Sequence, residues 1–171
     1  MRCRILVIML ALGSARPLHA LQNADVQLTP TLPEPPSSAT DSIISLALEQ
    51  AVVHGMPPDL SRTRPRVLII RDDAPVSARA LPRIDSVAFS ILDSAQIQAL
   101  ADRHESMDYL VVSGASIHGD SGTVGIGDHV AQRPHSGRGT RQFSTRRVCY
   151  WILRRHEGVW RIEREGGCVV W

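Results

Sequence analysis

Apolar residues first recur at helical spacing just after Asp41, where Ile43, Ala47 and Ala51 form one row and Ile44, Leu48 and Val52 the next. Positions three and four apart share a helix face, so the spacing predicts an amphipathic helix, capped by Thr40 or Asp41 and ended by Gly55 and Pro57. His54, in its last turn, suits the carbonyl-rich end of that helix as a favourable partner. Beyond a proline-bracketed loop the period changes. Val67-Leu68-Ile69-Ile70 is a fully apolar run of strand length closed by Asp72-Asp73, which read as a solvated turn. Val87, Phe89 and Ile91 alternate with Ser86, Ala88 and Ser90, which predicts a strand with one buried face.

Leu92-Asp93-Ser94-Ala95-Gln96-Ile97 then carries a helix start: Asp93 as N-cap, Gln96 three residues on, and Leu92 able to clasp Ile97 across the cap. Ile97, Leu100 and Ala101 give this short helix its apolar face, and it ends near His104 or Glu105. Residues 109–117 and 123–130 flank a turn at 118–122. Joining His118 to Thr123 sets Ile117 opposite Val124, Ala115 opposite Ile126 and Val111 opposite Val130, with Ser113 and Asp128 on the same core-facing side. Gly114 and Gly127 pair on the other side, where missing side chains let a sheet bend.

Residues 148–163 hold two apolar-rich runs around one turn signal, and predict a β-hairpin. A three-residue loop of His156, Glu157 and Gly158 would set Ile152 against Ile162 and Arg154 against Trp160. A four-residue loop would instead gather Trp151, Leu153, Trp160 and Ile162 on one face. Turn chemistry favours the first register and burial of apolar surface the second. The whole order predicts an α+β fold: a curved antiparallel sheet of five to six strands, packed by an N-terminal helix and a short second helix in a cone-like arrangement.

Composition narrows the setting. The chain has 171 residues, 43% of them hydrophobic and 21% charged, enough for one domain with a core plus leader and linker segments. Met1-Arg2-Cys3-Arg4, the apolar run from Ile5 to Leu12, and alanines at Ala15 and Ala20 have the pattern of a secretory signal peptide over residues 1–20, cleaved after Ala15 or Ala20. The run is shorter than the roughly 20 residues a spanning helix needs, so no membrane span is expected after cleavage. Pro30, Pro33, Pro35 and Pro36 mark residues 21–40 as an extended, mobile linker that neither forms a helix nor pairs. Residues 41–171 are then a single domain, secreted or periplasmic.

Loss of the leader leaves Cys149 and Cys168, an even count in an oxidising compartment, and predicts one disulfide. Either hairpin register puts Arg164 or Glu165 opposite Cys149, so the chain is expected to turn back at Gly166-Gly167 for the sulfurs to meet. Net charge is only +2 and every basic side chain is arginine, a bias that GC-rich coding DNA explains without a polyanionic partner. Nucleic acid is therefore not an expected partner. Residues 131–147 are glycine- and arginine-rich and read as a mobile loop, in which Arg133, Arg138 and Arg141 are candidates for binding an anionic surface. Against that, exposed arginines that nothing holds in place bind weakly.

The chemical motifs are sparse. Gly119-Asp120-Ser121-Gly122 matches the tetrapeptide around a serine-protease nucleophile but lies in a hairpin turn with no partner histidine motif. Gly125-Ile126-Gly127 sits inside a strand and lacks the helix start that cradling a phosphate requires. His118, Asp120, Asp128 and His129 have no metal-ligand spacing, so neither a metal nor any other cofactor is expected. Asp128 is the candidate that survives, an acid on the core-facing side. Near its strand end it either reaches solvent or pairs with an arginine of the next segment; inside a cavity it could serve as a base, with Tyr109 or Tyr150 as polar partner.

The order helix, two strands, capped short helix and four-stranded meander, with the Gly119-Asp120-x-x-Thr123-Val124 hairpin and the Gly158-x-Trp160-x-Ile162 strand, resembles the nuclear transport factor 2-like (cystatin-like) α+β superfamily over residues 41–165. The chain departs from that pattern in its short second helix and in the arginine segment within the meander. The resemblance implies a pocket between curved sheet and helices, used by some members for isomerase, dehydratase or epoxide-hydrolase chemistry and by many for binding alone. No complete catalytic set of those enzymes matches here. The expectation is an exported, non-catalytic domain that binds a small ligand or a protein partner; the alternative is a small isomerase or hydrolase using Asp128.

Overall fold

The computed structural model describes residues 28–56, 66–71, 76–85, 87–134 and 142–171. The leader expected over residues 1–20 lies outside them. The fold is α+β, with helix α1 (Ala39–Val53), strands β1 (Arg66–Arg71) and β2 (Val87–Leu92), helix α2 (Ser94–His104), and then β3 (Ser106–His118), β4 (Ser121–Gln132), β5 (Gln142–His156) and β6 (Val159–Val170). The strands lie side by side in the order β2-β1-β3-β4-β5-β6.

Helix α1 begins two or three residues earlier than expected. Ser38 is the N-cap: its hydroxyl accepts from the Asp41 backbone N–H at 3.0 Å, while the Asp41 carboxylate accepts from the Ser38 N–H at 3.1 Å. This reciprocal box satisfies two otherwise orphaned donors, which Thr40 or Asp41 as cap would leave open. The expected apolar rows are its buried face, with Ile43, Ile44, Ala47, Leu48 and Ala51 all covered. Helix α2 starts as expected, with Asp93 accepting from the Gln96 N–H at 2.8 Å and the Gln96 side chain accepting from the Asp93 N–H at 2.9 Å.

The sheet is not antiparallel throughout. β1 runs parallel to β2 over its whole length, from Arg66 opposite Val87 to Arg71 opposite Leu92, and meets β3 in parallel at Ile70 and Leu110. A parallel pair needs a crossover and not a tight turn; the intervening segment carries a 3-10 turn at Ala78–Ala80. β3 to β6 form the expected antiparallel meander.

Registers differ from expectation wherever a bulge intervenes. β3 and β4 join His118 to Ser121 through the two-residue turn Gly119-Asp120, so Ala115 faces Val124 and Gly114 faces Gly125. A bulge at Ser113 then shifts the pairing, setting Val112 opposite Ile126 and moving Val111 to the other face. The last hairpin also has a two-residue turn, Glu157-Gly158, with both residues at positive φ (51° and 80°), the conformation that suits the twist of the flanking strands. Neither expected loop length is observed. Two-residue and four-residue loops share a side-chain parity, however, so Trp151, Leu153, Trp160 and Ile162 do lie together against the core.

Much of the expected arginine loop is strand. β4 continues to Gln132 and β5 begins at Gln142, pairing Gln142 with Gln132 and Arg147 with Asp128; a bulge at Arg146 separates Arg147 from Thr145. The proline-rich segment, expected to be mobile and unpaired, is strapped onto β2. The Thr31 N–H donates to the Phe89 carbonyl at 2.6 Å, the Ser90 hydroxyl donates to the Thr29 carbonyl at 2.9 Å, and the Glu34 N–H donates to the Ala78 carbonyl at 3.0 Å. Proline lacks the N–H but fixes an extended backbone, leaving the residues between prolines free to pair.

Helices cover both faces of the sheet. α1 packs on the side of Leu110, Val112, Val124, Ile126, Cys149, Trp151 and Leu153. α2 lays Ile97, Leu100 and Ala101 over Tyr109, Val111 and Ala131 on the other. The alternation of β-strand side chains therefore decides which of two separate cores each residue enters.

Candidate functional site

Asp128 is the buried acid of the α1 side. It stands opposite Leu110 on β3 and Arg147 on β5, and only 1% of it is exposed. Its Oδ2 is 3.7 Å from Arg147 Nε, and its Oδ1 has no hydrogen-bond partner. Burial pushes the Asp128 carboxyl above its ordinary range; the positive charges of Arg146 and Arg147 pull it down and Asp108 adds to the rise. Arg147 also donates to the Gly55 carbonyl at 3.1 Å, just beyond the end of α1. The guanidinium thus ties a buried carboxylate to the negative end of a helix, two acceptors that both favour a cation. Beside it, Arg146 pairs with Asp108 at 2.9 Å.

Neither tyrosine shares that side. Tyr109 is fully buried under α2, its ring 5.5 Å from that of His129 and edge-on to Phe143 at 6.3 Å. Tyr150 alternates with the core residues Cys149 and Trp151, so it faces away from Asp128, 40% exposed, with its ring lying over Gly125. The three candidates for acid–base work are therefore not gathered: a sheet separates the acid from both hydroxyls.

The arginines are engaged individually. Arg133 donates through Nε to the Asp102 carbonyl at 2.6 Å and also through a terminal nitrogen, while its N–H meets the Glu105 carbonyl at 2.9 Å, so it closes the C-terminal end of α2. Arg138 and Arg141 lie outside the described residues. Arg154 pairs with Glu163 at 3.1 Å; Arg155 pairs with Asp120 at 2.8 Å and stacks over Trp160 at 5.6 Å. The acid of the Gly119–Gly122 tetrapeptide is thus an ion-pair partner. His118, Asp120, Asp128 and His129 form no ligand group among the described residues.

Cys149 and Cys168 are bonded to each other. The chain reaches this pairing without turning back. Bulges at Glu163 and Gly166 each advance β6 by one residue, so that Trp151 faces Glu165, Tyr150 faces Gly167 and Cys149 faces Cys168 directly.

One surface feature has no counterpart in the sequence pattern. Leu32 and Pro33 of the strap, with Pro82, Ile84 and Val87, line an open groove of about 400 Å³ whose charged members are Arg83 and Asp85. Leu32 stands 82% exposed at its edge. The signal was the cluster of prolines, which marked an extended backbone but not what it lay against. Among the described residues no helix is long and apolar enough to cross a membrane. No protein-family model matches the chain, and no curated relative is found.

Proposed function

We propose that this chain is an exported binding domain that takes a small apolar ligand or a short protein segment in the groove between the strap and residues 82–87, which lead into β2, and performs no chemistry of its own. The observation that supports this is the isolation of Asp128. A general base needs its acid or hydroxyl partner within hydrogen-bond reach of one substrate, whereas this carboxylate is held by Arg147 and both tyrosines are on the far face. The groove, by contrast, offers apolar walls with a few charged groups, the usual composition of a ligand site. The element order supports kinship with the nuclear transport factor 2-like superfamily; the parallel β1–β2 pair departs from the all-antiparallel sheet expected from the sequence.

The experiment is a titration with an environment-sensitive apolar dye, comparing the wild type with Leu32→Asp. Saturable binding that the substitution abolishes, in a variant of unchanged circular dichroism, supports the groove. Absence of saturable binding, together with no partner retained by the immobilised protein from the exporting cell's extract, ends the reading. N-terminal sequencing of the exported chain tests the leader, with a start at Arg16 or Leu21 expected.

A further inference from the structure

The disulfide has neighbours that a disulfide does not need. Glu165 Oε1 lies 3.1 Å from Cys168 Sγ, and the ligand atoms of Cys149, Glu165 and Cys168 all fall within 4.8 Å of one another. A bonded sulfur has no proton to donate, so the carboxylate gains no hydrogen bond from that approach. On the other side of the same carboxylate stands His54, the C-cap of α1, with Nδ1 4.0 Å from Glu165 Oε2. Two sulfurs and a carboxylate converge, and an imidazole stands beyond them against the carboxylate's other oxygen.

We propose that reduction of the Cys149–Cys168 bond converts this cluster into a four-ligand site for a zinc-like divalent ion, held by Cys149 Sγ, Cys168 Sγ, Glu165 and His54. The donor set of two thiolates, one imidazole and one carboxylate is that of tetrahedral zinc. Metal–sulfur bonds of about 2.3 Å place the two sulfurs about 3.8 Å apart in such a site, so they must separate after reduction. Cys149 is held in the core, whereas Cys168 is exposed on β6, so the separation falls to the Cys168 side chain. His54 and Glu165 are half-exposed, at 50% and 43% of their side chains, so the proposed site requires the imidazole to move in toward the sulfurs from its place against Glu165.

The chemistry balances with a dithiol as co-reactant. The dithiol gives two electrons and two protons to the sulfur–sulfur bond and is itself oxidised to a disulfide; Cys149 and Cys168 become thiols. The metal ion then displaces both thiol protons to solvent. Two thiolates, a carboxylate and a doubly charged ion leave one net negative charge. Arg147, which faces Asp128 and donates to the carbonyl of Gly55 next to His54, brings a positive charge to that end of α1. The end of α1 is in any case the helix terminus that favours a cation. One cluster thus has two closed states, a covalent bond under oxidising conditions and a metal clamp joining α1 to β6 under reducing ones.

The test uses Co²⁺ as an optical probe on the full chain, reduced with a phosphine that is removed anaerobically, beside an untreated sample shown by mass to be two hydrogens lighter. Thiolate-to-cobalt charge transfer and the visible bands of tetrahedral cobalt should saturate at one equivalent in the reduced protein, be absent from the oxidised one, and vanish on adding Zn²⁺. Glu165→Gln and His54→Ala should each weaken cobalt binding at least ~10-fold, and Cys168→Ser should abolish the charge-transfer band. Failure of the reduced protein to develop that band overturns the proposal. So does equal affinity in Glu165→Gln and His54→Ala, which would mark binding by a loose dithiol, folded or not.

Discussion

Asp128 and Arg147 are cross-strand partners on β4 and β5, and the same guanidinium that faces the buried carboxylate also holds the Gly55 carbonyl at the end of α1. A surface ion pair of this length would matter little, but one carboxylate oxygen here has no partner and no water-exposed side. The pair therefore adds a polar tie between the end of α1 and the sheet, beside the apolar contacts of Ile43, Ile44, Ala47, Leu48 and Ala51.

Its pH dependence has a definite sign. A carboxyl whose folded pKa is raised binds its proton more tightly in the folded chain, so Asp128's contribution to stability falls as pH rises from about 3.8 through the raised folded value. Relative to Asp128→Asn, the wild type should gain stability on acidification through that window, read as paired urea midpoints from neutral pH to pH ~4. A difference that stays flat with pH would contradict the assignment. Arg147→Met, which leaves the carboxylate buried without its cation, should cost about 1–3 kcal/mol at neutral pH and recover part of that in acid.

Two glycines that face each other across β3 and β4 should respond differently to alanine. A Cβ on Gly125 would collide with the Ser113 hydroxyl and stand 2.9 Å from Tyr150 Cε1, whereas one on Gly114 would meet nothing within 4 Å. Gly125→Ala should destabilise by about 1–3 kcal/mol through forced displacement of the tyrosine ring. Gly114→Ala should be neutral or slightly stabilising, because it only restricts the unfolded chain. Equal melting temperatures for the two variants would show that the ring moves aside freely.

Arg133 is the arginine for which anchoring and anion binding make opposite predictions. If it serves to close α2, Arg133→Ser lowers stability by about 0.5–1.5 kcal/mol and leaves retention on anionic vesicles unchanged at low salt. Loss of retention with no change in melting would assign it to a surface for anions, together with Arg138 and Arg141.

What could be read from the sequence was local. The Asp93–Gln96 box and the apolar rows of α1 are spelled within a few residues, and the core-facing side of Asp128 follows from alternation along one strand. Pairing was not legible, because it turns on bulges at Ser113, Arg146, Glu163 and Gly166 that no residue type announces. Each bulge moves a partner by one place. Simple alternation therefore puts Val111 on the face opposite to the one it occupies, and leaves Cys149 out of line with Cys168 unless the chain reverses. Arg147, the partner of Asp128, lay in a segment whose glycines and arginines suggested a loop, and only its pairing with β4 makes it strand.

The bulges of β6 have a consequence for the molecule in a crowd. A sheet ends in rows of unpaired amides, and a long flat end strand invites another chain to add to it. Here one end strand, β2, is already engaged by Thr31, and the other is bent at Glu163 and Gly166 and carries Arg161, Glu163, Arg164 and Glu165 in close succession. Among the described residues, the Thr31 bridge on β2 and the bulges of β6 interrupt the straight ladder open to a second copy. The same irregularity that brings the two cysteines level should make the middle of β6 a poor template for the addition of another strand.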